Sequence, residues 1–315
     1  MKAITYTQYG SPDVVQLSET TKPVPQDNEI LLRVCAAAVN PHDFHSMRGK
    51  PYILRAQMGW RQPKNTRLGL DVAGQVEAVG KNVTEFQPGD ELYGVRSGSF
   101  AEYICTTGKA FAPKPTNLTF EQAAAVPVAA LTALHGLRDK GQLKTGQKVL
   151  INGASGGVGT FAVQIAKVLG AEVTAVCSTR NLAMVRALGA DQVIDYTKEN
   201  FTQRRERYDL FFDTVGNHSL SACRRVIKPT GAYVTIAGSP RRLLQLLVWS
   251  RFARQRLVFY MAPTRKEDLV FLKELIEADK ITPVIDRCYS LAEVPEAIGY
   301  LGEGHAQGKV VIAVP

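Results

Sequence analysis

The segment that most constrains the fold is an apolar, strand-like run followed by a glycine-rich turn and the start of a helix. It reads Lys148-Val149-Leu150-Ile151-Asn152-Gly153-Ala154-Ser155-Gly156-Gly157-Val158-Gly159. Glycines let the backbone turn tightly and approach a ligand closely, and the following helix offers unpaired N–H groups and a positive dipole end. The segment therefore predicts a pyrophosphate-binding loop, with a dinucleotide as the ligand.

The loop alone also fits an ordinary strand-helix turn. Read from Ala154 it is Ala-x-Gly-x-x-Gly, one residue short of the usual three-glycine fingerprint. Its surroundings favour the dinucleotide, because a helix over 160–169 ends at Gly170 and Glu172–Cys177 is a second strand, which completes a right-handed βαβ unit. The loop residues assigned to the cofactor are Ala154, Ser155, Gly156, Gly157, Val158 and Gly159.

The end of the second strand predicts which nicotinamide cofactor is bound. An Asp or Glu about 20 residues beyond the loop binds the ribose 2′-hydroxyl of NAD, whereas a basic residue accommodates the 2′-phosphate of NADP. The sequence here is Cys177-Ser178-Thr179-Arg180-Asn181, without a carboxylate. Arg180 can bind a phosphate through two N–H groups and Ser178 can donate its hydroxyl hydrogen, although Arg180 could instead be a solvated residue that begins the next helix. NADPH is the predicted cofactor.

Length, charge and cysteine spacing exclude several classes of protein. A chain of 315 residues predicts two domains, and no stretch approaches the ~20 apolar residues of a membrane span. The N-terminus reads as a strand without a signal or transit segment, so we expect a cytoplasmic protein. Five cysteines without a Cys-x-x-Cys pair argue against a disulfide framework or a zinc lobe. A net charge of +9 suits a phosphate-rich cofactor, and the sequence has no nucleic-acid-binding signature.

The pattern of predicted strands and helices changes along the chain. Up to about Pro115, short β-type runs separated by Gly and Pro predict a compact, barrel-like β domain. From Lys148, strands and helices alternate, which predicts a parallel sheet with helices on both faces. The tail, 309–314, is β-like again and is expected to return to the first domain. The predicted domains are 1–120 with 280–315, and 121–279.

Six motifs occur in order over nearly the whole chain. They are Asn40-Pro41-His42-Asp43, Gly69-Leu70-Asp71-Val72-Ala73-Gly74, Phe86-Gln87-Pro88-Gly89-Asp90, Ala154-Ser155-Gly156-Gly157-Val158-Gly159, Leu188-Gly189-Ala190-Asp191 and Gly304-His305-Ala306-Gln307-Gly308-Lys309-Val310-Val311. With these motifs the chain resembles the medium-chain dehydrogenase/reductase superfamily, in its zinc-independent quinone oxidoreductase-like branch. The ending and the segment 177–181 are similar to the plastid-envelope quinone oxidoreductase homologues and related enone reductases.

The resemblance implies a fold and an activity. The fold is α/β, a doubly wound parallel-sheet Rossmann domain plus a GroES-like β-barrel catalytic domain. The activity is NADPH-dependent reduction of a carbon–carbon double bond next to a carbonyl, in a small enone or quinone. Zinc-dependent relatives carry a Cys at the position of Asn40 and Gly-His-Glu at Gly69-Leu70-Asp71. We therefore expect no metal, and zinc-type alcohol dehydrogenation is disfavoured.

The resemblance also implies residue roles outside the loop. It places Asn40 near the nicotinamide ribose, as a catalytic and cofactor-binding residue, and Thr132 beneath the nicotinamide. Turn residues at strand carboxyl ends, where such sheets bind ligands, and two further positions complete the predicted cofactor contacts. These are Thr214, Val215, Gly238, Ser239, Tyr196 and Lys309.

A proton donor is harder to assign. His45 stands where several relatives have Tyr, and it could protonate an enolate. His42 and His45 are equally credible as loop-surface residues, and solvent can also supply the proton.

A basic, amphipathic segment, Arg241–Tyr260, has three possible uses. It could lie on an anionic membrane, cover the substrate pocket or form a subunit interface. Within it, Leu257-Val258-Phe259-Tyr260-Met261 resembles the edge strand through which the family pairs, so a homodimer is predicted.

The alternative to an enzyme is a cofactor-binding regulatory or membrane-associated interaction protein without robust turnover.

Overall fold

The computed structural model describes residues 1–52 and 55–315. Their contacts divide into two units, Met1–Val128 with Thr264–Asp279 and Pro283–Pro315, and Ala129–Pro263 with Lys280–Thr282. This division differs from the predicted boundaries at 121–128 and 264–279, which lie in the first unit, and at 280–282, which lies in the second. Residues 264–279 include the helix Lys266–Glu277, whose Leu269 carbonyl accepts a 2.6 Å hydrogen bond from the Tyr93 hydroxyl.

Ten α-helices are described, together with a π-helix at His135–Lys140 and short 3₁₀ turns that include Thr179–Asn181. The α-helices are α1 Pro41–Arg48, α2 Arg55–Met58, α3 Phe120–Ala124, α4 Pro127–Leu134, α5 Gly157–Val168, α6 Leu182–Ala187, α7 Leu220–Arg225, α8 Pro240–Trp249, α9 Lys266–Glu277 and α10 Val294–Gly302. The Ala-rich stretch 121–137 is helical in separate pieces, because Pro127 has no backbone N–H to continue α3 and instead begins α4.

The first unit is built on a mainly antiparallel sheet. Its strands are β1 Lys2–Thr5, β2 Gln16–Glu19, β3 Ile30–Val39, β4 Asp71–Val79, β5 Glu91–Val95, β6 Tyr103–Thr106, β7 Phe111–Pro113, β14 Ile285–Ser290 and β15 Lys309–Ala313. Seven of them form one sheet in the order β14-β15-β3-β4-β5-β7, with β6 also paired to β3. The tail strand β15 lies antiparallel to β3, so the chain returns to the sheet of the first unit at its end.

The second unit carries a six-stranded parallel sheet. Its strands are β8 Lys148–Asn152, β9 Glu172–Cys177, β10 Gln192–Asp195, β11 Tyr208–Asp213, β12 Ile227–Thr235 and β13 Arg256–Phe259. The order β10-β9-β8-β11-β12-β13 reverses direction between β8 and β11, which is the doubly wound order of dinucleotide-binding sheets. The predicted fold is confirmed, and the reversal marks the edge where such sheets bind ligands.

Each unit has a buried apolar core of its own. One core gathers β3, β4 and β15 side chains with the inner face of α10, and the other gathers β8, β9, β11 and β12 side chains with α7. In the part of the chain that the structure describes, no helix combines the length and apolarity that crossing a bilayer requires.

Candidate functional site

The glycine loop connects β8 to α5 and leaves the start of that helix open. Gly156 is the N-cap residue of α5, and as a glycine it has no side chain that could cap the first turn. The first N–H groups of an α-helix have no partner within the helix. A methyl group built on Gly156 would meet nothing closer than the Gly153 carbonyl oxygen, 3.6 Å away. The loop thus presents bare backbone donors beside open space, which suits an anion.

Gly159 has a different purpose. A Cβ there would lie 2.0 Å from the Gly153 carbonyl oxygen and 2.7 Å from the Ala154 Cα. Such contacts are impossible without moving the backbone, so this glycine lets α5 pack directly against the loop. The two glycines therefore have different roles. Gly159 allows close packing of α5 against the loop, and Gly156 leaves open space on the outer side of the loop.

Asn181 joins the loop to the end of β9. Its Nδ2 donates to Ser155 Oγ at 2.9 Å and to Ser178 Oγ at 3.2 Å. Because both hydroxyl oxygens accept from the same amide, their hydrogens are directed elsewhere and can serve as donors to a ligand. Asn181 is 4% exposed, and its Oδ1 has no hydrogen-bond partner among the described residues. A buried acceptor of this kind is expected where a ligand hydroxyl completes the site.

Arg180 lies exposed in the 3₁₀ turn that follows β9. The carboxylate that could compete for a ribose hydroxyl is Asp195, at the end of β10, and its oxygens are occupied. Thr179 Oγ1 donates to its Oδ2 at 2.5 Å, and Thr197 donates to its Oδ1 through its hydroxyl at 2.7 Å and its N–H at 3.0 Å. These hydrogen bonds also lower the pKa of Asp195. The predicted contact of Arg180 with a 2′-phosphate stays a prediction. Tyr196 stands exposed after β10, and its predicted cofactor contact also stays a prediction.

The turns after β11 and β12 are held by buried polar groups. Asp213 Oδ1 accepts from the N–H groups of Val215 and Gly216 at 3.1 and 2.9 Å. The Thr214 hydroxyl donates to the Asn152 carbonyl at 2.8 Å.

Two further cofactor candidates begin α8. Gly238 precedes the helix with a φ of 157°, and the Ser239 hydroxyl accepts from the Arg242 N–H as the helix N-cap. Because the Thr214 and Ser239 hydroxyls have structural partners, their predicted cofactor contacts stay predictions, as does that of Val215.

Thr132 is buried in α4 at 8% exposure, and its carbonyl accepts from the Tyr260 hydroxyl. Its predicted place beneath the nicotinamide stays a prediction.

Asn40, Asp71 and Lys309 form one buried cluster in the first unit. Lys309 Nζ donates to Asn40 Oδ1 at 2.7 Å, Asp71 Oδ2 at 2.9 Å and the Val39 carbonyl at 3.3 Å. Asn40 Nδ2 donates to Asp71 Oδ2 at 3.0 Å and to the Ala38 carbonyl at 3.2 Å. All three ammonium protons and both amide protons are thus used inside this unit. This geometry supports a structural role for Lys309 and Asn40, and their cofactor and catalytic roles stay predictions.

Asp43 supports the same region. Its Oδ2 accepts from the Asn40 N–H at 2.8 Å, and its Oδ1 accepts from the Gly69 N–H at 2.9 Å. Burial raises the pKa of Asp43 to about 7, with the nearby Asp71 carboxylate acting in the same direction. These two bonds tie Asp43 to the backbone at Asn40 and Gly69 and so fix the loop.

A cavity of about 220 Å³ opens in the first unit beside α1. Its lining combines charged, polar and apolar side chains from α1, α2, the segment between α2 and β4, and the residues that follow β1 and β5. The residues are Tyr6, His42, Asp43, Ser46, Gln57, Met58, Lys64, Asn65, Arg67, Leu68, Gly69, Leu70 and Ser97. This volume suits a small organic molecule.

The two histidines of α1 differ in their relation to this cavity. His42 lines it, and its Nε2 lies 3.2 Å from Ser46 Oγ. Loss of solvent around the ring and the neighbouring His45 lower the pKa of His42. His42 and His45 are both exposed, but His45 packs edge-on against Phe44 and is not among the described residues that line the cavity. The structure thus brings to the cavity the histidine that was not predicted to be catalytic, and the catalytic role of His45 stays a prediction.

Tyr6 is a site candidate that sequence reasoning missed. It follows β1, is 3% exposed and lines the cavity. Burial, Tyr9 and Asp43 raise the pKa of Tyr6 to about 12, so its hydroxyl stays protonated. No local sequence pattern marks this tyrosine. It lines the cavity together with Lys64 and Arg67, which lie about sixty residues further along the chain, so only the folded structure brings them together. Asn181 was also missed, although its position directly after Arg180 was a usable clue.

A search of the described residues finds no group of three or more His, Cys, Asp or Glu side chains arranged to hold a metal ion.

Comparisons with known proteins cover almost the whole chain. The models of an alcohol dehydrogenase GroES-like domain and of a zinc-binding dehydrogenase match residues 26–116 and 188–312. The chain is 38% identical over 327 residues to the 2-methylene-furan-3-one reductase of Solanum lycopersicum, covering 99% of this chain and 79% of that protein. It is 36% identical over 327 residues to the chloroplastic NADPH-dependent alkenal/one oxidoreductase of Arabidopsis thaliana, with the same coverage.

The fold is similar to that of a solved quinone oxidoreductase. The structure from Coxiella burnetii has a TM-score of 0.91 and 32% sequence identity, and the match covers 100% of this chain and 99% of that one. The GroES-like domain predicted for the first unit is confirmed by this match and by the family model.

Proposed function

Because the chain belongs to the medium-chain dehydrogenase/reductase superfamily, in its zinc-independent quinone oxidoreductase-like branch, we propose that this oxidoreductase uses NADPH to reduce an α,β-unsaturated ketone or a quinone. The observation that carries the proposal is the open glycine loop beside Ser155, Ser178 and Arg180. Two relatives named for enone chemistry, one of them NADPH-dependent, support it.

The second unit is proposed to hold the cofactor. The N–H groups at the start of α5 would bind the pyrophosphate, with Gly156 giving it room. The Ser155 and Ser178 hydroxyls, held by Asn181, would donate to phosphate oxygens, and Arg180 would bind the 2′-phosphate through its planar guanidinium. When bound, the nicotinamide would supply the hydride, which is chemistry that the cofactor itself performs.

The first unit is proposed to hold the substrate, in the cavity beside α1. Reduction at the β-carbon of an enone leaves negative charge on the carbonyl oxygen, and a fixed donor there lowers the barrier. Tyr6 suits this role because burial keeps its hydroxyl protonated. His42, which lines the same cavity, would exchange the proton with solvent.

The direct test is NADPH oxidation with a panel of enones and quinones, followed by stopped-flow absorbance. The proposal expects turnover above background, with NADPH preferred over NADH. Cofactor binding without oxidation by any member of the panel would refute it and favour a regulatory protein.

Tyr6 can be tested with a matched pair of variants. Tyr6→Phe should lower kcat by about 100-fold, the usual effect of losing one donor to a developing oxyanion. Tyr9→Phe removes a neighbouring phenol whose hydroxyl donates to the Gly59 carbonyl at 2.6 Å. This control should retain kcat and lose about 1 kcal/mol of stability. Equal kcat in the two variants would remove Tyr6 from the mechanism.

We also propose a homodimer formed through β13. This strand is the last of its sheet, so one side presents unpaired backbone groups, and Phe259 and Met261 are exposed nearby. Sedimentation equilibrium of the chain should give twice the monomer mass. A cytoplasmic location remains part of the proposal, to be tested by cell fractionation.

A further inference from the structure

Nearly all of the net charge of this chain comes from one segment. From Thr214 to Thr264 the sequence contains no Asp or Glu, but it contains seven arginines and Lys228. The eight positive charges of this segment nearly equal the formal net charge of the whole protein, which is +9. A segment of this length with positive charges only attracts anions. The proposed cofactor does not account for these charges, because the residue proposed to bind its 2′-phosphate, Arg180, lies outside the segment.

The helix α8 lies in this segment and has its apolar residues facing the solvent. Leu244, Leu247 and Val248 are spaced to share one side of the helix, and all three are exposed. The buried positions are instead Arg242 and Leu246. Two exposed aromatic side chains lie at and just beyond the end of the helix, Trp249 at 49% and Phe252 at 81% exposure. This much exposed apolar side-chain area marks an interaction surface, and these five side chains are called the apolar stripe below.

Arginines border this stripe. The Arg224 guanidinium lies 5.1 Å from the Trp249 ring, and its Nε donates to Gln255 Oε1 at 2.8 Å. A shallow cleft of about 490 Å³ adjoins it, and its lining includes Arg224, Arg225, Arg254 and Phe252. Together with Arg251 and the apolar stripe, these residues are called the α8 surface below.

The α8 surface is anchored rather than loosely attached. Arg242 is 7% exposed, and one guanidinium nitrogen, Nη1, donates to the carbonyls of Gly216 and His218. The other, Nη2, lies 3.3 Å from the Asp213 carboxylate and also donates to the Tyr233 hydroxyl. The inward arginine thus fixes the helix to the turn after β11, so that the apolar stripe faces outward as a consequence of the fold.

We propose that the α8 surface binds a membrane containing anionic phospholipids. The arginines would contact headgroup phosphates, and the Leu, Val, Trp and Phe side chains would enter the boundary between headgroups and acyl chains. Basic residues beside an apolar face with Trp and Phe are the pattern of helices that lie in this interface. The protein would bind peripherally, and the proposal concerns location rather than catalysis.

Two other occupants fit the surface less well. A two-fold dimer would face this surface with its own copy, and the segment Thr214–Thr264 offers no Asp or Glu to pair with the arginines. A nucleic acid would satisfy the arginines, but its phosphates leave the exposed Leu244, Leu247 and Val248 uncovered.

The test uses the full chain and two kinds of vesicle. Co-sedimentation at low salt is compared for phosphatidylcholine vesicles with and without phosphatidylglycerol. In a Trp60→Phe background Trp249 is the only tryptophan, so a blue shift of its emission reports burial of the stripe. We expect binding and a blue shift with the anionic vesicles and little of either with the neutral ones.

Variants separate the contributions of charge and apolar area. Arg251→Glu combined with Arg254→Glu should lower the partition coefficient about 30-fold or more, because loss of the two arginines alone corresponds to about 30-fold and the glutamates add repulsion. Lys109→Glu combined with Arg205→Glu makes the same change in net charge at exposed positions outside the surface, and it should retain binding. Leu247→Gln combined with Val248→Gln should abolish the blue shift.

Other outcomes would overturn the proposal. The first is that the unchanged protein does not bind anionic vesicles at low salt, and the second is that it binds neutral vesicles equally well. The third is that the Lys109/Arg205 control loses as much binding as the Arg251/Arg254 variant. Binding to DNA with no effect of Leu247→Gln and Val248→Gln would assign the surface to nucleic acid instead. A dimer that dissociates on those same Gln substitutions would assign it to a second copy. NADPH turnover is measured in each variant and should be retained, so failure here is distinct from failure of the proposed reaction.

Discussion

Replacing Gly156 by alanine tests whether the loop is a ligand cradle or only a turn. Gly156 has φ −84° and ψ 176°, a conformation that alanine adopts without strain. The added methyl group would meet only the Gly153 carbonyl oxygen, at the ordinary contact distance of 3.6 Å. The folded protein should therefore accept Gly156→Ala, and the free energy of unfolding should be unchanged or higher by about 0.4–1 kcal/mol.

Cofactor binding should respond in the opposite way. A phosphate bound on the backbone N–H groups at the start of α5 would occupy the space that the methyl group fills. We expect the Kd for NADPH to rise by about 10- to 100-fold, which corresponds to about 1.4–2.8 kcal/mol. Isothermal titration with NADPH measures the loss, and urea unfolding of the same sample measures stability.

Gly146 provides the matched control. A Cβ there also meets open space, but its φ is 79°, where alanine costs about 1–2 kcal/mol. Gly146→Ala should therefore lose stability and keep its affinity for NADPH, the reverse of Gly156→Ala. If Gly156→Ala binds NADPH as tightly as the unchanged protein, the loop does not hold the pyrophosphate and the reasoning from its open space fails.

Three further predictions concern charged groups. Arg180→Ala should raise the KM for NADPH by about 10- to 100-fold and leave that for NADH unchanged, while Arg186→Ala on α6 should affect neither; equal losses for both cofactors would remove Arg180 from the 2′-phosphate site. Lys309→Met should destabilise the protein by about 3–5 kcal/mol because it leaves Asp71 buried without its cation, and a stable variant with only a raised KM would instead support the cofactor role. The raised pKa of Asp43 predicts that stability, complete below about pH 4, falls as pH rises through about 7, by roughly 2–3 kcal/mol between about pH 5 and 8. Urea unfolding should show this loss in the unchanged protein and a flatter profile in Asp43→Asn, and parallel profiles would exclude Asp43 as the source.

The strands and turns of the proposed cofactor site were predictable because their sequence signals are local. The loop, the end of β9 and the turns after β11 and β12 each follow a strand, and parallel strands bring their carboxyl ends to one edge of the sheet. Sequence spacing therefore predicted both the doubly wound sheet and the group of residues near Arg180. What spacing could not predict is the hydrogen-bond network, such as the link through Asn181 between Ser155 and Ser178.

The remainder depended on contacts between distant parts of the chain. Lys309 was predicted to bind the cofactor, yet β15 places it against β3, where Asn40 and Asp71 use all of its protons together with a carbonyl. Tyr6 entered the cavity lining only through a loop far along the chain. Segment 264–279 lies in the first unit, on the other side of the predicted boundary, and nothing in the sequence of α9 itself shows that the Tyr93 hydroxyl donates to it. Local patterns thus identify elements, and long-range packing decides which of their polar groups remain available.

The central claim is that NADPH bound by this chain reduces an enone at its β-carbon. The most direct measurement uses NADPH deuterated at C4, a simple enone and NMR of the product. The account predicts deuterium at the β-carbon, solvent-derived hydrogen at the α-carbon and one NADPH consumed for each double bond reduced. Recovery of the allylic alcohol, with deuterium on the former carbonyl carbon, would contradict it.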